Sequence, residues 1–229
     1  MLRLETVLIE QGPFRLAADF AVKEGAITAL IGPSGAGKSS LLSLIGGFYQ
    51  VNQGRIFIGG RDVTDLPPSE RSIASLFQDG NLFPHLTVVQ NIALGLRPSG
   101  RLDAQEAAQV REVIASVGLE GMAERKPSEL SGGQQSRVAL ARVLLQDKDV
   151  VLLDEPFSAL GPALRIEMLD LVKERLAGRT ILMVTHDPED AKRVADQVIV
   201  VMRGEATQPV PTRDLFEVPT DALREYLGH

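Results

Sequence analysis

Residues 26–40 read AITALIGPSGAGKSS, an apolar run that stops at a glycine and opens into a helix-forming stretch. That is the context a P-loop requires: Gly32, Pro33, Ser34, Gly35, Ala36, Gly37, Lys38, Ser39 and Ser40 follow a predicted strand and lead into a predicted helix. The glycines let backbone N–H groups converge on a β-phosphate. Lys38 can pair the β and γ phosphates, and the Ser39 hydroxyl can bind Mg2+. The bland alternative is a glycine-rich strand-to-helix turn.

Working outward, the runs AITALIG, IASLFQD, VVLLDEP, ILMVTHD and VIVVM each end in or beside polar residues and mostly alternate with helical patterns. Such runs predict buried parallel strands. Upstream, the alternation of Phe14, Leu16, Ala18, Phe20 and Val22 and the bracketed stretch GRIFIGG (54–60) predict half-buried, antiparallel strands. Between Thr87 and Leu145 the pattern turns mostly helical, with 106–117 and 134–145 amphipathic, as in an inserted subdomain. RPSGRLD (97–103) reads as a turn-rich surface loop. The fold class expected is α/β: a P-loop NTPase core with a mainly parallel sheet, an N-terminal antiparallel part and an inserted helical subdomain.

Bulk properties narrow the function. A length of 229 residues suits one large domain or a core with one insertion. The net charge of −6 and pI near 5.2 argue against a duplex-binding surface, so nucleic acid is not an expected partner. The chain contains no cysteine, which excludes disulfides and thiolate metal sites. Arg3 and Glu5 interrupt the place where a signal peptide needs an apolar run, so export is not expected. The apolar runs fall far short of the roughly 18 residues that span a bilayer, so any membrane role is borrowed from a partner.

Two more strand ends carry chemistry. VVLLDEP delivers Asp154 and Glu155 to the carboxyl edge of the sheet, where ligands of open α/β sheets bind. Asp154 is suited to holding Mg2+ and Glu155 to accepting a proton from an attacking water. ILMVTHD brings His186 to the same edge, where an imidazole can hydrogen-bond a γ-phosphate and orient that water. Gln78, closing IASLF, is similarly placed to touch Mg2+ or water. Taken one at a time, these residues are equally well a solvated turn, a helix cap and a strand end.

LSGGQQ (130–135) resists an easy reading. Ser131 with Gln134 three residues on is a capping box. A cap alone, however, does not call for Gly132 and Gly133, each costing about 1 kcal/mol against alanine in a helix. Bare N–H groups and a serine hydroxyl at a helix start form a second anion site. Since the P-loop already cradles one nucleotide in its own chain, the simplest occupant is the γ-phosphate of a nucleotide carried by a second copy.

With these motifs in order, the chain resembles the ATP-binding cassette ATPases. GPSGAGKSS looks like their Walker A, Gln78 their Q-loop, LSGGQ their signature (Ser131, Gly132, Gly133, Gln134), VVLLDE their Walker B, SALG (158–161) their D-loop and His186 their switch histidine. The resemblance implies a single domain with a nucleotide-binding core at 1–86 and 146–229 and a signature-bearing helical subdomain at 87–145. It implies ATP and Mg2+ as cofactors and a head-to-tail homodimer in which each signature caps the ATP on the opposing Walker A. It also implies integral membrane permease subunits, indirect dealings with a periplasmic solute-binding protein, and a peripheral location on the cytoplasmic face of the bacterial inner membrane.

Within the family, LPPSERSIASLFQDGNLFPHLTVVQNIALGL and LDEPFSALGPALRIEMLDLV look most like the import subunits for thiamine. Iron, molybdate and polyamine importers share much of the pattern, and soluble non-transport cassettes are the rival class. Permease docking is expected in the groove between core and helical parts, on 79–86, through Leu82, Phe83 and Leu86, unless these fold back onto the core. Two positions depart from the family: Gln11, with only Phe14 nearby, stands where an adenine-stacking aromatic is usual, and Gly161 where the D-loop ends in aspartate. Weak base selectivity and looser coupling between sites are the expected consequences.

Overall fold

The computed structural model describes every residue except Pro13, Gln78, Asp79, Gly228 and His229, and Gln11 by its backbone alone. In chain order the elements begin with β1 (Leu2–Gln11), β2 (Phe14–Val22), β3 (Ile27–Ile31), α1 (Lys38–Ile45), β4 (Gln53–Ile58), β5 (Arg61–Asp62) and β6 (Ile73–Leu76). They continue with α2 (Val88–Ala93), α3 (Ala104–Ser116), α4 (Gly132–Leu144), β7 (Val150–Asp154), α5 (Pro162–Arg175) and β8 (Thr180–Val184). The chain then runs through α6 (Pro188–Val194), β9 (Gln197–Met202), β10 (Glu205–Ala206), β11 (Val210–Pro211), α7 (Thr212–Glu217) and α8 (Asp221–Leu227). Two compact units result, one of Met1–Ile73, Lys148–Glu155 and Gly178–His229, the other of Ala74–Asp147 and Pro156–Ala177.

The first unit is built on a mixed sheet. β1 pairs antiparallel with β2 and β4, β10 bridges β2 to β9, and β9, β3, β8 and β7 run parallel. The antiparallel N-terminal strands and the parallel strands after Ala26 are thus as the alternation and the apolar runs predict. Burial explains the difference between the two patterns. In β2 every second residue is buried, while β3 and β8 are buried throughout.

Strand β3 alternates between two cores. Leu30 packs with Leu41, Leu44 and the N-terminal strands on one face, and Ala29 and Ile31 pack with Ala191, Leu215 and Leu223 on the other. A strand clothed on both faces needs the unbroken apolar run found there. The register then sets the site, because Leu30 and Asp154 both lie level with Val184 of β8. The P-loop, Asp154 and the turn after β8 therefore leave the sheet from one edge.

The second unit is mainly helical, with Val88, Ile92, Val110, Ile114, Val138 and Ala141 closing a core between α2, α3 and α4. Each of these helices starts in a capping box, Thr87 with Gln90, Asp103 with Glu106 and Ser131 with Gln134. Arg137 of α4 pairs with Glu167 of α5. Buried Asn91 holds the preceding loop, its amide donating to the carbonyls of Phe83, Leu86 and Thr87 and its oxygen accepting from the Phe83 N–H.

Candidate nucleotide site

Within the first unit an open pocket of about 640 Å³ is lined by Phe14, Ser34, Gly35, Gly37, Lys38, Ser39, Ser40, Glu155 and His186. Helix α1 opens at Gly37 with no side chain capping it, so the amides of its first turn are left for a ligand. Lys38 is only 6 % exposed, and its ammonium donates to the carbonyls of Gly32 (2.8 Å) and Pro33 (2.9 Å). Burial lowers its pKa, while the Glu155 and Asp154 carboxylates pull it back up. A desolvated cation facing an open pocket is poised for an anion.

Opposite the loop, Ser39 Oγ donates to Asp154 Oδ1 at 2.9 Å. Burial pushes the Asp154 carboxyl up; the Ser39 hydrogen bond opposes this, Glu155 adds to it and Lys38 opposes it. Glu155 follows with a left-handed backbone, φ 43°, its N–H donating to the Val184 carbonyl at 3.2 Å. A non-glycine residue in that region carries strain of order 1–3 kcal/mol, which concentrates at functional sites. Its Oε2 lies 3.4 Å from Nδ1 of His186, whose side chain is 53 % exposed.

The sequence-predicted residues divide as follows. Ser34, Gly35, Gly37, Lys38, Ser39, Ser40, Glu155 and His186 meet in the pocket, with Gly32, Pro33 and Asp154 joined to it by hydrogen bonds and Ala36 packed partly against the core behind. Gln78 lies outside the described residues, as does Asp79 of the expected docking loop. Ser131, Gly132, Gly133 and Gln134 stand at the start of α4 in the second unit. There the Ser131 hydroxyl accepts from the Gln134 N–H at 3.3 Å and the Gln134 amide oxygen accepts from the Ser131 N–H at 2.9 Å.

The two signature glycines have different causes. A Cβ on Gly133 would lie 2.3 Å from a methyl of Leu164, so internal packing of α4 on α5 accounts for it. Gly132 is exposed and meets nothing nearer than Leu160 at 3.8 Å. In the loop where docking is expected, Leu82 folds onto the helical core while Phe83 is 45 % exposed.

The sequence offered Phe14 only as the aromatic nearest the adenine-stacking position, and the structure brings it into the pocket lining. Its ring crowds Gly37, where a Cβ would come within 2.6 Å of it. The hairpin explains the nearness: Phe14 is the register partner of Gln11.

A phosphate-binding loop, a buried lysine and a carboxylate pair at one edge of a mixed sheet define the P-loop nucleotide-binding class. The family described as ABC transporter matches residues 17–158, and the chain belongs to that family of transporter ATPases. It is 56 % identical to the thiamine import ATP-binding protein ThiQ of Ruegeria sp. (strain TM1040) and 54 % identical to the protein of that name in Cereibacter sphaeroides, in each case over the whole of both chains. Among solved structures it is similar to MJ1267, an ATP-binding cassette of an ABC transporter, with TM-score 0.88, 25 % identity and coverage of 100 % of this chain and 97 % of that one. The dimeric post-hydrolysis structure of the cassette MJ0796 bound to ADP and Pi matches at TM-score 0.79 and 30 % identity, over 93 % of this chain and 99 % of that one.

Proposed function

We propose that this chain is the ATP-hydrolysing subunit of a thiamine importer. The observation that carries the cargo is the full-length likeness to relatives bearing that name. The pocket supplies the chemistry. Lys38 exchanges its two carbonyl partners for the β and γ phosphates, and the uncapped start of α1 presents its amides to them.

Ser39 and Asp154 would hold Mg2+: two hard oxygen donors 2.9 Å apart, one of them a desolvated carboxylate, suit an ion that takes one or two protein oxygens and completes its shell with phosphate and water. Bound there, the ion neutralises charge on the phosphates. Glu155 takes the proton of the attacking water, and His186, beside it, hydrogen-bonds the γ-phosphate. Gln78, outside the described residues, is assigned by the motif order alone as a further contact to Mg2+ or water.

The working form is a head-to-tail homodimer in which Ser131, Gly132, Gly133 and Gln134 close the partner's site. Support comes from the dimeric MJ0796 structures and from Gly132, a glycine with no internal neighbour to require it. No helix among the described residues is long and apolar enough to cross a membrane. A permease, the partner that an importer ATPase energises, carries the solute. It docks on the loop that exposes Phe83, with a periplasmic binding protein beyond it and this chain peripheral on the cytoplasmic face.

The test is accumulation of labelled thiamine in cells whose only copy of this chain is the parent or Lys38→Ala. Uptake should vanish with the variant. Thiamine uptake that persists, with loss of another solute's uptake, overturns the cargo while leaving the transport reading intact.

A further inference from the structure

Helix α8 lies far along the chain from the pocket, yet it touches the turn that presents His186. Leu223 is fully buried among Ala191, Val198, Val200 and Leu215, and Tyr226 packs at the edge of that cluster. Glu225 pairs with Arg203 at 2.7 Å, which fixes the outer side of the helix. The Tyr226 hydroxyl then donates a 2.7 Å hydrogen bond to the backbone carbonyl of His186, 40 residues upstream.

The turn is held from inside by its neighbours. Thr185 Oγ1 donates to buried Asp190 at 2.7 Å and accepts from the Asp187 N–H at 3.1 Å, and Asp187 caps α6 through the Glu189 N–H at 2.9 Å. These bonds set the residues on either side of His186. Tyr226 grips the backbone of His186 itself. Burial, then the Asp187 and Glu155 carboxylates, raise the phenol pKa further above its ordinary value.

We propose that Tyr226 is a positioning residue for ATP hydrolysis, fixing through the His186 carbonyl the direction from which the imidazole reaches the pocket and so making α8 part of the hydrolytic apparatus. The proposal rests on the role given to His186 above. A displacement of about 1 Å in a catalytic group can cost as much as a hundredfold in rate, so a loosened backbone with the side chain intact should cost less.

The variant is Tyr226→Phe in the full chain, which keeps the ring and its packing and removes only the hydroxyl. Turnover should fall about three- to tenfold, with KM for ATP and the affinity for MgATP unchanged. The His186 imidazole resonance, assigned by its disappearance in His186→Ala, should shift while that of His85 stays in place. Unchanged turnover overturns the proposal, as does a fall in turnover with an unmoved His186 signal, which assigns the tyrosine to packing alone. Should Tyr226→Phe melt early, both measurements are made at a temperature where it is fully folded. If His186→Ala itself turns over like the parent, the failure lies in the role of His186 and not in the link to Tyr226.

Discussion

Ser39 and Asp154, 115 positions apart, are joined by a 2.9 Å hydrogen bond that ties the first turn of α1 to the last residue of β7. It links the phosphate loop to the carboxylate strand. The Asp154 carboxyl is nonetheless pushed above its ordinary value of 3.8 by burial. A raised carboxyl favours the folded state while protonated. That contribution is full below the unfolded value near 3.8 and is lost as pH rises through the folded one. Asp154→Asn removes the partly buried charge, so the nucleotide-free variant should melt above the parent at about pH 7, with the gap narrowing as pH falls towards the ordinary value of 3.8. With ATP present the order of benefit reverses: the parent should gain melting temperature on adding Mg2+ and the variant little. A gap independent of pH would remove the burial argument.

Glu155 and Lys38 separate chemistry from binding. Glu155→Gln keeps the shape and loses the proton acceptor, so hydrolysis should slow by about two to four orders of magnitude with ATP still bound. The variant should collect as an ATP-bound dimer on a sizing column. Lys38→Ala instead removes a charge-assisted contact worth about 1.5–3 kcal/mol, weakening ATP affinity roughly ten- to hundredfold by calorimetry. Near-normal turnover in the first variant would take Glu155 out of the mechanism.

Much of this was legible in the sequence because strand ends announce themselves. The run VVLLD is buried on both faces up to Leu153 and only partly buried at Asp154, so polarity marks the site edge directly. What escaped were contacts made at long range by ordinary residues. Nothing in REYL indicates that Tyr226 reaches His186, and nothing in GPF places Phe14 against Gly37. The stretch 87–145 reads as helical, but the compact second unit begins at Ala74 and also takes in 156–177, where pairs such as Arg137 with Glu167 are ones no periodicity signals. The capping boxes show the opposite case: a three-residue spacing written locally and found locally.

The adjacent glycines 132 and 133 should behave differently. Alanine at the exposed Gly132 meets no clash and gains up to about 1 kcal/mol of helix propensity. At Gly133 the same methyl must first move the end of the half-buried Leu164 side chain, which offsets part of that gain. Thermal melts should therefore rank Gly132→Ala above Gly133→Ala. The reverse order would show that α4 and α5 do not pack as described.

Whether Gly132 and Lys38 serve one nucleotide from two chains can be settled by mixing defects. Lys38→Ala disables the phosphate loop of its chain, and Gly132→Asp places a carboxylate at the exposed start of α4, where a γ-phosphate from a partner is proposed to sit. In a head-to-tail heterodimer of the two variants, one site collects both defects while the other joins an intact Lys38 to an intact Gly132. If each site were instead completed within one chain, both would be damaged. Tagged heterodimers should therefore occlude ATP at one site, and either homodimer at none. Occlusion, measured as labelled ATP retained through rapid gel filtration in the Glu155→Gln background, is a better readout than turnover, because hydrolysis can require both sites together. The carboxylate at 132 repels phosphate only where the two meet, so the same change tested in a chain kept monomeric by dilution should leave ATP affinity at the P-loop unaltered. A heterodimer no better than its parents would leave Ser131 and Gln134 with the capping box alone, their hydrogen bonds of 3.3 and 2.9 Å being all the work that stretch performs.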